Sequence, residues 1–153
     1  MQSKKHIMDL LNTGAISFRS TNPEYPFNRD NQVGNDSIDL RLGEYFYTMN
    51  DNVNFINTLD LSDDLPIKFF TKHKFTMNGY ILKPQEIIFI PTLEIVNMNS
   101  SRFCGYVSGR SIYARLGLTV HCTMTKFAYG MNSIVSLQVT NHSPTPLKIF
   151  PRQ

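Results

Sequence analysis

Between Ser133 and Thr140 apolar and polar side chains alternate, with Val135, Leu137 and Val139 on one face and Ser136, Gln138 and Thr140 on the other. A period of two residues sends successive side chains to opposite faces of a strand, so this stretch predicts a strand with one buried face. Residues 37–43, Ser-Ile-Asp-Leu-Arg-Leu-Gly, alternate in the same way, and Tyr45, Tyr47 and Met49 continue one face. Ile87–Ile90 reads as a central strand whose continuation Pro91 restricts. Thr119–Thr123 and Leu147–Phe150 read as further strands, the latter following the turn at Pro144 and Pro146. Asn50-Asp51-Asn52 and the stretch around Pro23 and Pro26 are turn-forming. Many short strands between polar turns, with no internal repeat, favour a mostly-β barrel or sandwich over alternating βαβ units.

Two short helices complete the pattern. Ile7, Leu10 and Leu11 recur at helical spacing within residues 4–13, with Ser3 as a candidate N-cap and Gly14 as the C-terminal stop. Arg110–Leu116 is a second short helix, with Ser108 as a candidate cap. The aromatic side chains of Phe69, Phe70, Phe75 and Tyr80 read as packing groups. The 153 residues suit one domain spanning 1–153.

The formal charge is +3, from 15 Lys+Arg against 12 Asp+Glu, and the basic residues form no dense tract. The balance favours small anionic ligands, and nucleic acid is not an expected partner. Cys104 and Cys122 form neither a metal-ligand cluster nor a disulfide framework, and read as buried free thiols. There is no apolar run of membrane-spanning length and no signal-peptide pattern, so no membrane partner and a cytoplasmic location are expected.

Val107–His121 reads VSGRSIYARLGLTVH. This resembles the SGRSS-x-ARLGL-x-VH signature of the dCTP deaminase family, within the dCTP deaminase/dUTPase superfamily. SIDLRLG at 37–43 and ILKPQEIIFIPTLEIV at 81–96 are similar to the family's early strand and its strand pair before the core motif. The resemblance implies a dUTPase-like distorted β-barrel with a short N-terminal helix and a short helix at the core motif. It also implies a homotrimer with sites between subunits and dCTP or a related deoxynucleotide as ligand.

Residue by residue, it implies that Arg110 and Ser111 contact phosphate. Arginine supplies a rigid donor fork and serine a compact hydroxyl. Arg115 lies at i+4 from Ser111, on the same helix face. Gly109 permits close backbone approach and Gly117 a sharp helix exit. Leu116 and Leu118 read as core residues, and His121 as a packed one. Gln138 stands where the family carries a glutamate that moves protons at the cytosine C4. An amide orients water or reads a base edge but is not a comparable general base. Phe127-Ala128-Tyr129-Gly130 replaces the family's Ile-Asp-Pro-Gly turn, so Ala128 stands for its aspartate. Met124 stands for a small alanine beside the pyrimidine. After Pro144 the chain runs PTPLKIFPRQ, without the family's terminal lid segment.

These departures favour a catalytically degenerate trimer that retains deoxynucleoside triphosphate binding in a regulatory or structural role. The alternative is an active dCTP deaminase giving dUTP and ammonia, with Ser111, Arg115 and Gln138 at the reacting centre. dUTPase activity is less favoured. Glu86 and Glu94 are the available carboxylates, though nothing in the sequence brings either to the pocket. No protein-held metal is expected, and Mg2+ would arrive with the triphosphate.

Overall fold

The computed structural model describes residues 3–53, 56, 67–121 and 126–153. A 12-residue strand, β5 (Ile87–Met98), organises the chain. On one side it pairs antiparallel with β9 (Asn132–Asn141). On the other it pairs with β1 (Ile16–Ser20) and β2 (Tyr45–Met49), which lie end to end along it. β3 (Phe70–Lys74) adds beyond β2, and β7 (Leu118–His121) beyond β9, giving a six-stranded open sheet. β4 (Tyr80–Leu82) pairs with β10 (Leu147–Ile149), and β6 (Gly105–Tyr106) with β8 (Lys126–Phe127). The distorted, mostly-β architecture is the one expected.

The alternation in β9 behaves as it reads: Val135, Leu137 and Val139 are buried. They pack with Ile88, Ile90, Val96 and Leu82, which have no exposed surface. Helix α1 (Lys4–Asn12) closes one end of this core through Ile7 and Leu11. Ser3 caps it, accepting from the His6 N–H, and the chain leaves at Gly14 with φ +71°. Phe46 holds an aromatic cluster with Phe75 and Tyr80, at centroid distances of 4.7 and 4.3 Å.

Several expectations need correction. Residues 37–43 form no strand, only isolated bridges between Val33 and Ile38 and between Leu42 and Thr92. The backbone there bonds to several different segments: Asp39 N–H donates to Gln32 O, Leu93 N–H to Arg41 O, and Leu42 N–H to Gln153 O. Arg41 points inward to the buried Glu94 carboxylate, so a polar position of the alternation turns inward while Ile38, Leu40 and Leu42 also pack against the core.

β5 runs through Pro91 instead of stopping there. The proline lies where pairing with β9 shifts register, a place that tolerates the missing N–H. In β2 Tyr45, Tyr47 and Met49 share one face of the strand, as they read, and it is Phe46 on the opposite face that is buried. Leu116 is 54% exposed, whereas Leu118 is buried as expected. Cys104 is exposed, not buried, and Cys122 lies outside the described residues.

Candidate functional site

Beyond the one-turn helix α2 (Arg29–Gln32), helix α3 (Ser111–Arg115) carries the motif residues. Its N-cap is Arg110, in extended backbone and without a side-chain cap, so Ser108 does not have the expected capping role. Ser111, Arg115 and the Arg110 side chain are all solvent-exposed. Gly109 fits closely before the helix: a Cβ there would lie 3.2 Å from the Val120 Cβ. After the helix, Gly117 turns the chain with φ +82°, and its carbonyl accepts from His142 N–H at 2.8 Å. The two glycines fold α3 back onto β7.

β7 then delivers the site to β9. Val120 pairs with Val139 and His121 with Gln138. On its other side Gln138 pairs with Phe89 of β5, and Phe89 pairs with Tyr47 of β2. Residues directly opposite on neighbouring strands share a face, with Cβ atoms ~5 Å apart. Gln138 and Phe89 therefore stand side by side on one face of the sheet, and Phe70 buttresses the Phe89 ring edge-on at 5.2 Å. Gln138 is half-buried, and its amide makes no hydrogen bond among the described residues. The side chain of His121, and Met124 as a whole, lie outside the described residues.

Ala128 is exposed and begins a turn that Met131 N–H closes onto the Ala128 carbonyl at 3.2 Å. The turn at this position is thus present without a carboxylate. Of the two available carboxylates, neither reaches the Gln138 amide. Glu86 accepts from the Tyr80 hydroxyl and the Lys83 N–H. Glu94 has no exposed surface and accepts from Arg41 and Gln32.

The carboxylate that does approach the motif is Asp39, whose Oδ2 lies 3.8 Å from Arg110 Nη2. Asp39 is held from behind by Gln32: its N–H donates to Gln32 O, and Gln32 Nε2 donates to its carbonyl, each at 2.8 Å. Sequence reasoning overlooked Asp39 and Phe89. The SIDLRLG run carried Asp39 as a polar strand position, and only the β5–β9 register identifies Phe89 as the neighbour of Gln138.

The arrangement offers two exposed guanidinium groups and a hydroxyl on one short helix and its N-cap, one strand removed from an aromatic ring and an amide that bonds to nothing among the described residues. Chemically this suits an anion joined to a flat polar ring. Among the described residues no group of three or more His, Cys, Asp or Glu side chains is arranged to hold a metal ion.

The model of the dCTP deaminase-like family matches residues 1–153. A dUMP-forming dCTP deaminase of Sulfurihydrogenibium sp. (strain YO3AOP1) is 30% identical over 122 residues, covering 80% of this chain and 65% of that protein. The dCTP deaminase of Buchnera aphidicola subsp. Baizongia pistaciae is 30% identical over 121 residues, covering 75% of this chain and 62% of that protein. The chain thus spans less than two thirds of the length of these relatives. The crystal structure of 2'-deoxycytidine 5'-triphosphate deaminase from Agrobacterium tumefaciens superposes with a TM-score of 0.71 at 16% identity, over 99% of this chain and 44% of that one.

Proposed function

We propose a function from one established premise: this chain belongs to the dCTP deaminase-like family. Its function is hydrolytic deamination of dCTP, in which water adds at the base C4, ammonia leaves and dUTP remains. The relatives, named as a dUMP-forming dCTP deaminase and a dCTP deaminase, favour deamination over the degenerate reading and over a dUTPase without deamination. The observation that carries the proposal is the strand pairing of His121 with Gln138, beside the helix that bears Arg110, Ser111 and Arg115.

In this reading Arg110 and Arg115 bind the triphosphate through charge-assisted hydrogen bonds. The Ser111 hydroxyl and the Gln138 amide orient water and the base edge, and Phe89 walls the pyrimidine. Gln138 takes no proton, so proton transfer runs through water, and slow turnover is expected. Mg2+ enters as part of the substrate, neutralising the phosphates.

The assembly in this reading is a homotrimer with the site at a subunit boundary. The exposed Ile112 and Leu116, four residues apart on the α3 face at 62% and 54% exposure, support an interface there.

A second reading, nucleotide binding without turnover, is favoured by Gln138 itself, because an amide replaces a proton carrier. Product analysis with dCTP and Mg2+, run in parallel with dUTP, separates the two. Formation of dUTP from dCTP, lost in Ser111→Ala, is the expected result. Intact nucleotide that nonetheless binds would sustain the second reading and end the first.

A further inference from the structure

The geometry points to the open edge of β1 as a docking groove for an extended acidic peptide of a partner protein. β1 pairs only with β5 among the described residues. Thr21 N–H donates to Leu93 O, and Asn99 N–H to Ala15 O. In an antiparallel pair these bonds fix the parity: Ala15, Ser17, Arg19 and Thr21 face β5. Ile16, Phe18 and Ser20 then turn their N–H and C=O groups outward, and among the described residues no backbone hydrogen bond reaches them. Unpaired strand edges of this kind are templates for an added strand.

This edge lies in a cleft of about 470 Å³, bounded by Leu11 of α1 and by the loop through Pro23, Pro26 and Phe27. Phe27 stacks on Phe18 at 5.0 Å, giving one apolar wall. Arg19 and Arg29 also line the cleft, and no acidic residue does. Neither arginine has an ion-pair partner among the described residues. Arg29 Nη1 is instead steadied by Asn12 Oδ1 at 2.9 Å.

The cations select a carboxylate-bearing ligand, and the outward backbone groups select a peptide over other anions. Charge also selects a different protein over a second copy paired through this same edge, since a second β1 cleft brings two more arginines and no acidic residue to meet Arg19 and Arg29. The groove thus takes a strand alternating acidic and small apolar residues, with its carboxylates toward Arg19 and Arg29 and an apolar side chain against Phe18 and Phe27. None of these residues belongs to the α3–Gln138 site.

The test is fluorescence anisotropy of the full chain with a short fluorescein-labelled peptide alternating aspartate and valine. A lysine–valine peptide and an aspartate–valine peptide N-methylated along its backbone serve as controls. Saturable binding is expected for the first peptide alone, weakened roughly tenfold by Arg19→Glu or Arg29→Glu. The methylated control leaves the protein untouched, so lost binding there cannot reflect misfolding. Absence of saturable binding, or equal binding of the methylated peptide, would overturn the proposal. So would sedimentation showing self-association that Arg19→Glu abolishes, since a second copy would then be the occupant.

Discussion

The carboxylate of Glu94, with no solvent exposure, accepts from Arg41 Nε at 2.6 Å and from the Arg41 N–H at 2.7 Å. Gln32 Nε2 adds a third bond at 2.9 Å, while Arg41 Nη2 reaches the Tyr25 carbonyl at 2.8 Å. The group ties the segment bearing Asp39 to the central strand. Removing one partner strands a buried charge, which costs about 3–5 kcal/mol. Arg41→Ala is therefore expected to lower unfolding stability by that order in urea titrations. The double replacement Arg41→Met/Glu94→Met should cost less than Arg41→Ala alone. Equal or greater loss in the double variant would show that the pair is not the dominant interaction.

Arg110 and Arg115 should contribute separately to triphosphate binding. Loss of a hydrogen bond to a charged group costs about 1.5–3 kcal/mol, so each Ala variant should weaken dCTP affinity roughly tenfold to a hundredfold. Arg110 is also shared with Asp39 at 3.8 Å, between exposed groups. Such a pair is worth at most ~1 kcal/mol and yields readily to a phosphate. Isothermal titration with dCTP and Mg2+ measures both effects. Unchanged affinity in both variants would remove α3 from the binding site.

How much of this was legible in the sequence depends on where each hydrogen bond goes. β9 was readable because Val135, Leu137 and Val139 bury one face against a single sheet. α1 was readable from Ile7 and Leu11 together with Ser3. Residues 37–43 misled because their alternation is real but serves several partners, with Arg41 turned into the core. Leu116 misled because a leucine ending a helix does not specify which side of that helix faces the core. Arg110, Ser111 and Arg115 were found through the motif, and Gln138 through its place in β9. Asp39 and Phe89 depend on contacts about 50 or more residues away in sequence, which no local period reports.

Gly117 should resist any side chain. Its φ is +82°, and a Cβ would stand 2.8 Å from Ser143 N and 3.2 Å from Ser143 Cα, both backbone atoms. A left-handed backbone costs an L-residue on the order of 1–3 kcal/mol, and the clash adds to it. Gly117→Ala is expected to destabilise the fold by at least that much. It should also shift α3 relative to β7, lowering dCTP affinity in molecules that remain folded. Gly14→Ala is the control: its φ is +71°, but a Cβ there meets nothing within 4 Å, so only the backbone cost applies. Thermal unfolding of the two variants side by side separates strain from clash; equal losses would mean that Ser143 moves aside freely.

Tyr80 supplies a pH dependence whose sign is fixed. Burial first, then the hydrogen bond from its hydroxyl to Glu86 and the negative charge of that carboxylate, hold the phenol well above its ordinary value of 10.0. The unfolded chain releases this proton near pH ~10, whereas the folded chain keeps it. The stabilising contribution is therefore fully present below about pH 10 and is lost as pH rises from there toward the folded-state value. Urea unfolding between about pH 8 and 11 should show stability falling at the alkaline end. In Tyr80→Phe that part of the fall disappears, although the variant starts lower because Glu86 has lost a donor. Glu86→Gln should reduce the effect without removing it, since burial remains. Parallel alkaline slopes in wild type and Tyr80→Phe would mean that the folded phenol titrates like an exposed one, and that the Tyr80–Glu86 bond does not persist in solution.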